Sequence, residues 1–387
     1  MLSIVGNGMG EYNFSNLPKE INLSDFDFIV CDKNFKEEGK NIYKFSYKEA
    51  KKFILENYKT KNILYVVTGS PTFFSAATII AKNIPKKYLT IYPATSSKEY
   101  LLAKLAISES EVEVISLHGR KNIDLEKFLK KRFTFILTDQ NSLKRLLEAL
   151  KYIPSKNLRW IIGYKMGYKD EFIGEFDPKK NNFNLLEPHV ILLERLFEYP
   201  KRLFDEDFKT QRGVITKKYK RDFCLELLEL SDNQIFWDIG AGSGSCAIEA
   251  FIKYRVKTFL FEKDQERTSF IEENLKRHNV FEATLFKEDA LKAIKKIENN
   301  PDRILIGGGG VKLLEELEYL INRLKKDGIL IILAVTLNTL SKAVETLEKS
   351  SFWYEVISLD LTTWNKESKI ANSQRKLFLI KIKNNQS

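Results

Sequence analysis

The stretch Phe236-Trp237-Asp238-Ile239-Gly240-Ala241-Gly242-Ser243-Gly244 decides the fold of this chain. An apolar run leads into an acid, and a glycine-rich turn follows at once. Such a segment reads as a buried strand ending in a loop that opens a helix. The turn needs glycine because other residues resist positive φ and hold a ligand away from the backbone. Downstream, Phe259-Leu260-Phe261-Glu262 is a second apolar run ending in an acid, 24 residues after Asp238. A carboxylate at the end of a second strand is the residue type that accepts a ribose hydroxyl pair. Together the two segments describe a nucleoside-binding α/β unit near the middle of the chain.

Outward from that unit, the second half alternates strand and helix. Helices are predicted at 217–230, 245–253, 265–277, 290–297, 311–325 and 338–349, and strands at 235–239, 257–261, 282–286, 302–306 and 329–334. Repeated βα units imply a mostly parallel sheet covered on both faces. Late strands at 353–359 and 376–382 suggest an antiparallel edge. The first half also reads α/β, with strands at 2–5, 27–31, 62–67, 89–92, 112–116, 133–137, 158–162 and 189–194 and helices at 47–58, 97–106 and 141–151. The polar stretch around 199–212 is the expected linker between a domain of residues 1–198 and one of residues 213–387.

A chain of 387 residues suits two to three domains. No apolar run approaches the roughly 20 residues of a membrane span, so no membrane partner is expected. The N-terminus begins as a strand without a basic leader, and no signal peptide is expected. Cys31, Cys224 and Cys246 are far apart, with only three histidines beside them. No metal site is expected, and a reducing cytoplasm is the expected compartment. The net charge of +11 is spread along the chain rather than blocked. It does not point to nucleic acid and would equally suit a substrate rich in carboxylates.

The order acid–x–Gly–x–Gly–x–Gly resembles the first motif of class I S-adenosylmethionine-dependent methyltransferases, a Rossmann-like fold. The resemblance implies cofactor contacts from Asp238, Gly240, Ala241, Gly242, Ser243 and Gly244, from Glu262 to the ribose, and from Asp289 and Ala290 near the adenine. The string from Phe204-Asp205 to Ile215-Thr216-Lys217 and Arg221 is similar to decarboxylating C15-methyltransferases of corrin biosynthesis, as is Ile306-Gly307-Gly308-Gly309-Gly310. That likeness implies a cofactor contact from Thr216, which also reads as an N-cap. It implies a substrate-facing loop at Gly307, Gly308 and Gly309, with space for a bulky or flat substrate.

The first half carries Gly6-Asn7-Gly8-Met9-Gly10 after a strand, Thr68-Gly69-Ser70-Pro71 after another, Ser96-Ser97 opening a helix, and Ser116-Leu117-His118-Gly119-Arg120. In this order they resemble the tetrapyrrole methylases, and the last string resembles their C5-methylating branch. The implied fold is two α/β subdomains. The implied cofactor contacts are Gly6, Gly8, Gly10, Thr68, Gly69, Ser70, Pro71, Ser96 and Ser97. Ser70 stands where that family usually has Asp, and Met9 where it usually has Pro. Arg120 would suit a substrate carboxylate, and His118 at a strand end could face the substrate. His189 and His278 sit in no motif and read as structural.

The two resemblances imply one pathway. The expected activity is transfer of methyl groups from S-adenosylmethionine to carbons 5 and 15 of a precorrin or cobalt-precorrin, with loss of CO2 from the ring C acetate. Tetrapyrrole methylases commonly pair, which implies a homo-oligomer. The sequence names no catalytic acid or base. The competing expectation is an RNA methyltransferase with an accessory N-terminal domain. The net charge favours it mildly, and the glycine-only loop after the fourth strand speaks against it, since nothing there can stack on a flipped base.

Overall fold

The computed structural model describes residues 1–120, 122–211, 215–308, 310–364 and 369–384. The chain divides into two compact units. The first holds residues 1–123, 127–143 and 159–195, and the second holds 124–126, 144–158 and 196–387.

The first unit contains two sheets among the described residues. The first sheet joins β1 (Leu2–Gly6), β2 (Phe28–Cys31), β3 (Ile42–Lys44), β4 (Ile63–Val67) and β5 (Leu89–Tyr92) in the order β3-β2-β4-β1-β5, all parallel. Helices α1 (Tyr47–Asn57) and α2 (Ala77–Ala81) lie in its crossovers. Apolar side chains pack on both faces: Leu2, Ile4 and Ile63 on one, Val5, Ile29 and Val66 on the other. A parallel sheet buried on both faces needs continuous rather than alternating apolar runs, and Ile63 to Val67 is such a run. After α3 (Ser97–Leu105), the second sheet joins β6 (Val112–Ser116), β7 (Phe133–Leu137), β8 (Leu158–Tyr164), β9 (Phe172–Glu175) and β10 (His189–Arg195) in the order β6-β7-β10-β8-β9. It is mixed: β6 runs parallel to β7, while β10 runs antiparallel to β7 and β9 antiparallel to β8.

The compact units do not follow one cut in the chain. Residues 144–158, with most of α4 (Ser142–Ala149), belong to the second unit, as do residues 199–211 expected to act as a linker. The reason is burial: Leu203 and Phe208 are core residues there, and Tyr199 donates its hydroxyl to the Asn279 carbonyl at 2.9 Å.

The second unit carries a seven-stranded sheet among the described residues. Its strands are β11 (Ile235–Ile239), β12 (Lys257–Phe261), β13 (Ala283–Phe286), β14 (Arg303–Ile306), β15 (Ile329–Ala334), β16 (Trp353–Leu359) and the last strand of the chain, Leu377–Lys383. A short hairpin precedes that strand, formed by β17 (Thr362–Trp364) and β18 (Ala371–Ser373), so the last strand is β19. The order is β13-β12-β11-β14-β15-β19-β16. The first five are parallel, and β19 inserts antiparallel between β15 and β16, as the two late strands suggested. Helices α5 (Lys218–Leu227), α6 (Ser245–Tyr254), α7 (Gln265–Arg277), α8 (Ala290–Ile294) and α11 (Leu337–Glu348) match the predicted helices to within a few residues. The helix expected over 311–325 is instead two, α9 (Gly310–Glu315) and α10 (Leu317–Asn322), broken at Glu316 with φ −97° and ψ 19°. Leu313, Leu314, Leu317 and Leu320 from both helices are buried in one core and keep helical spacing, so apolar periodicity did not reveal the break.

Candidate functional site

In the second unit the strand order reverses at β11 and β14, where an open parallel sheet leaves a crevice outside its carboxyl ends. The glycine turn sits there. Gly240, Gly242 and Gly244 take φ of 71°, 59° and 76°, which is why the motif cannot use other residues. Gly240 and Ala241 donate their N–H groups to the Phe261 carbonyl at 2.9 and 3.1 Å, tying the turn to the end of β12. A Cβ on Gly240 would stand 2.6 Å from the Gly308 Cα. The glycine run after β14 therefore serves a close backbone approach as well as leaving room. Gly307 continues the strand register by donating to the Ile239 carbonyl at 2.8 Å. Gly309 lies outside the described residues.

Two carboxylates frame the turn. Asp238 is 2% exposed, and its Oδ2 accepts the Ala247 N–H at 3.3 Å. Burial pushes its carboxyl up to about 7, the Ala247 N–H opposes that rise, and the nearby Glu262 charge adds to it. Glu262, 6% exposed, accepts the Gly242 N–H on Oε2 at 3.0 Å, and the N–H groups of Lys263 and Asp264 on Oε1 at 3.0 and 3.1 Å. An ionised carboxylate offers about four lone-pair positions, so Glu262 keeps acceptor capacity beyond these three. Ser243 Oγ is buried with no partner among the described residues. Asp289 is exposed and caps α8, accepting the Leu291 N–H at 3.1 Å, with Ala290 as the first helical residue.

Thr216 is not the N-cap of α5: that position is Lys217, whose side chain makes no capping bond. The Thr216 carbonyl instead accepts Arg221 at 2.6 Å. Arg221 is fully buried and joins four partners: Glu249 on α6 at 2.6 Å, Asp205 at 3.1 Å, the Thr216 carbonyl, and the Leu203 carbonyl at 3.3 Å. Its guanidinium also lies over the Phe208 ring at 5.1 Å. The sequence reading quoted Arg221 but gave it no role. A planar fork with five donors can hold several chain segments at once, and that was the available signal.

In the first unit the glycine turn after β1 and the loop after β4 are joined. Gly8 and Gly69 exchange N–H···O bonds at 3.2 and 3.1 Å, both at positive φ. A Cβ on Gly10 would sit 2.6 Å from the Gly167 carbonyl oxygen. These loops open onto a cavity of about 1050 Å³. It gathers Gly8, Gly10, Thr68, Gly69, Ser70, Ser97, His118 and Arg120 from the sequence-predicted residues. Gly6, Pro71 and Ser96 are not on its wall. Gly6 packs under the Gly69 carbonyl and Pro71, and Ser96 is the capping-box residue of α3, accepting the Glu99 N–H at 3.1 Å. Gly6 thus serves a close backbone approach, and Ser96 caps a helix.

His118 and Arg120 are both exposed, with His118 Nδ1 3.4 Å from the Thr138 carbonyl. Sequence reasoning missed other lining residues, including Asn7, Phe74 and His189. Asn7 is 1% exposed, and its Oδ1 has no partner among the described residues. His189 faces the Glu187 carbonyl through Nδ1 at 3.0 Å, and burial pulls its pKa down. His278 is structural as read, with Nε2 3.0 Å from the Asp207 carbonyl.

A glycine turn between two buried acids, at the reversal point of a parallel sheet, makes the second unit Rossmann-like, and the first is a two-sheet α/β unit. The family described as "Precorrin methyltransferase domain" matches residues 206–359, and "Tetrapyrrole (Corrin/Porphyrin) Methylases" matches residues 19–177. A probable cobalt-precorrin-6B C(15)-methyltransferase (decarboxylating) of Methanothermobacter thermautotrophicus is 31% identical over 136 residues, 35% of this chain and 70% of that protein. A precorrin-6Y C(5,15)-methyltransferase (decarboxylating) of Sinorhizobium sp is 26% identical over 285 residues, 71% of this chain and 68% of that protein. A solved precorrin-6Y C5,15-methyltransferase of Geobacter metallireducens is 34% identical, covering 49% of this chain and all of that one, with a TM-score of 0.46. The chain belongs to the precorrin methyltransferase family.

Proposed function

We propose that this chain methylates a precorrin, or its cobalt complex, at carbons 5 and 15 and removes the ring C acetate carboxyl as CO2. The observation that carries the reading is the pairing of two family matches, residues 19–177 and 206–359, on one chain. A relative spanning 71% of it bears the C(5,15) name. An RNA methyltransferase is not favoured.

Both sites fit S-adenosylmethionine. In the second unit, the positive-φ glycine turn, the spare acceptor capacity of Glu262 and the unpartnered Ser243 Oγ suit an amino acid joined to a nucleoside. There Glu262 would take the ribose hydroxyls, Gly240 to Gly244 the amino-acid end, and Asp289 and Ala290 the adenine side, with Thr216 completing the wall. In the first unit, Gly8, Gly10, Thr68 to Ser70 and Ser97 would hold the second cofactor, with the Asn7 Oδ1 as a free acceptor. When bound, the cofactor supplies an electrophilic methyl on a sulfonium.

The chain itself positions and dries the reacting partners. Asp238, with its carboxyl near 7, ionises readily once a cation is bound beside it. Arg221 fixes the Thr216 segment against α6, the helix that leaves the glycine turn. Arg120 offers a fork to a substrate carboxylate. The excess of basic residues attracts a polycarboxylate. The test is to incubate the chain with labelled methyl donor and a precorrin and weigh the product. Gain of two methyl groups with loss of CO2 is expected. An unchanged macrocycle, with label transferred to tRNA instead, would overturn the proposal.

A further inference from the structure

We infer that Phe74 is the residue on which the flat face of the macrocycle stacks in the cavity of the first unit, an inference that rests on the proposed function. Phe74 follows β4 in the loop that lines this cavity, and its backbone takes φ 50°. That is the left-handed region, strained for a bulky side chain. Its ring is 53% exposed. Burial therefore gives little in return for the strain, and an open aromatic face is what the strain secures.

The neighbouring ring shows how the face is presented. Phe73 stands edge-on to Phe74, with centroids 5.1 Å apart and planes at 86°. Phe73 is held in turn by Phe135 at 6.0 Å and lies under the Lys98 ammonium at 5.9 Å. Phe73 is thus the anchor and Phe74 the presented ring. Leu186, 77% exposed, lines the same cavity, as do the exposed His118 and Arg120. Apolar faces and a guanidinium on the wall of one cavity match a conjugated ring with carboxylates on its edge. The cavity of about 1050 Å³ also reaches the top of the ~300–1,000 Å³ range of sites for one small ligand, which leaves room beside a nucleoside cofactor.

The left-handed backbone makes the test clean, because glycine removes the ring and the strain together. In the full chain, Phe74→Gly should melt at the same temperature or higher and bind S-adenosylmethionine as before. The KM for a precorrin should rise about tenfold in the methyl transfer that releases no CO2. The KM of the CO2-releasing transfer should not move. Phe74→Trp should keep a KM near that of the parent chain. An unchanged precorrin KM in Phe74→Gly overturns the inference and leaves the proposed function standing. A weakened cofactor instead of a weakened macrocycle overturns it too, since the ring would then serve the adenine. If the parent chain binds S-adenosylmethionine but neither binds nor methylates a precorrin, the proposed function fails and this inference fails with it.

Discussion

The two glycine turns solve the same steric problem with different surroundings. In the second unit, Gly240 to Gly244 lie between two nearly buried carboxylates, Asp238 and Glu262, and against the backbone of Gly308. In the first unit, Gly8 and Gly69 bridge each other, the cavity wall carries the hydroxyl of Ser70, and a Cβ added at Gly8 or Gly69 would meet nothing within 4 Å. One turn is closed and charged, while the other is open and lined by hydroxyls and aromatics. The comparison teaches that a run of glycines records only the need for positive φ and close approach. What approaches is decided by strands far away in sequence.

Substitution in the two turns should break that symmetry. Gly240→Ala should have the largest effect, because it is strained in φ and drives a methyl into the Gly308 backbone. Loss of the CO2-releasing transfer by at least about a hundredfold is expected, with more than about 3 kcal/mol of stability lost on urea unfolding. Arg221→Met comes next. It leaves Glu249, 1% exposed, with only Lys218 and Lys253 among the described residues, and frees the Leu203 and Thr216 carbonyls. A loss of about 3 kcal/mol is expected, and Arg221→Lys should not restore it, because an ammonium cannot span the same partners.

Asp238 sharpens the comparison through pH. Its carboxyl is held at about 7 against an ordinary 3.8, so the folded state keeps a proton that the unfolded chain has released. The stability it contributes is present at low pH and is lost as pH rises from 3.8 through about 7. Parallel urea titrations should show this group lowering stability by on the order of 2 kcal/mol between pH 5 and pH 8. Asp238→Asn should flatten that slope while weakening cofactor binding to the second unit. An Asn variant with the parent's slope would show that the carboxyl is not the titrating group. The smallest effect is expected for Gly8→Ala. A Cβ there meets nothing within 4 Å, so only the left-handed backbone is penalised, by about 1 kcal/mol in thermal unfolding.

Much of the fold was legible because its signals are local. The strands expected at 62–67, 133–137 and 329–334 became β4, β7 and β15 with little change in bounds. The acid-plus-glycine turn after β11 was read directly. Short elements escaped: β3 and β9 have three and four residues, and their burial is only partial, so no apolar run marks them. The break at Glu316 escaped because leucines on both sides kept helical spacing. Within the sites, Ser96 also caps a helix, and Arg221, given no role from the sequence, joins four partners. Neither was visible beforehand, for one reason. A residue's hydrogen-bond partners are set by chain segments that sequence spacing does not bring together.

By itself, the sequence determined the long strands, the positive φ of its glycine turns, and that the chain alternates α and β twice over. These follow from side-chain burial and backbone sterics within a few residues. The tertiary structure alone decided the order β13-β12-β11-β14-β15-β19-β16, the approach of Gly308 to Gly240, and the meeting of Gly8, Ser70, Phe74 and Arg120 on one cavity. Those depend on contacts between residues tens of positions apart, whose free energy appears only once the sheets have closed around their cores.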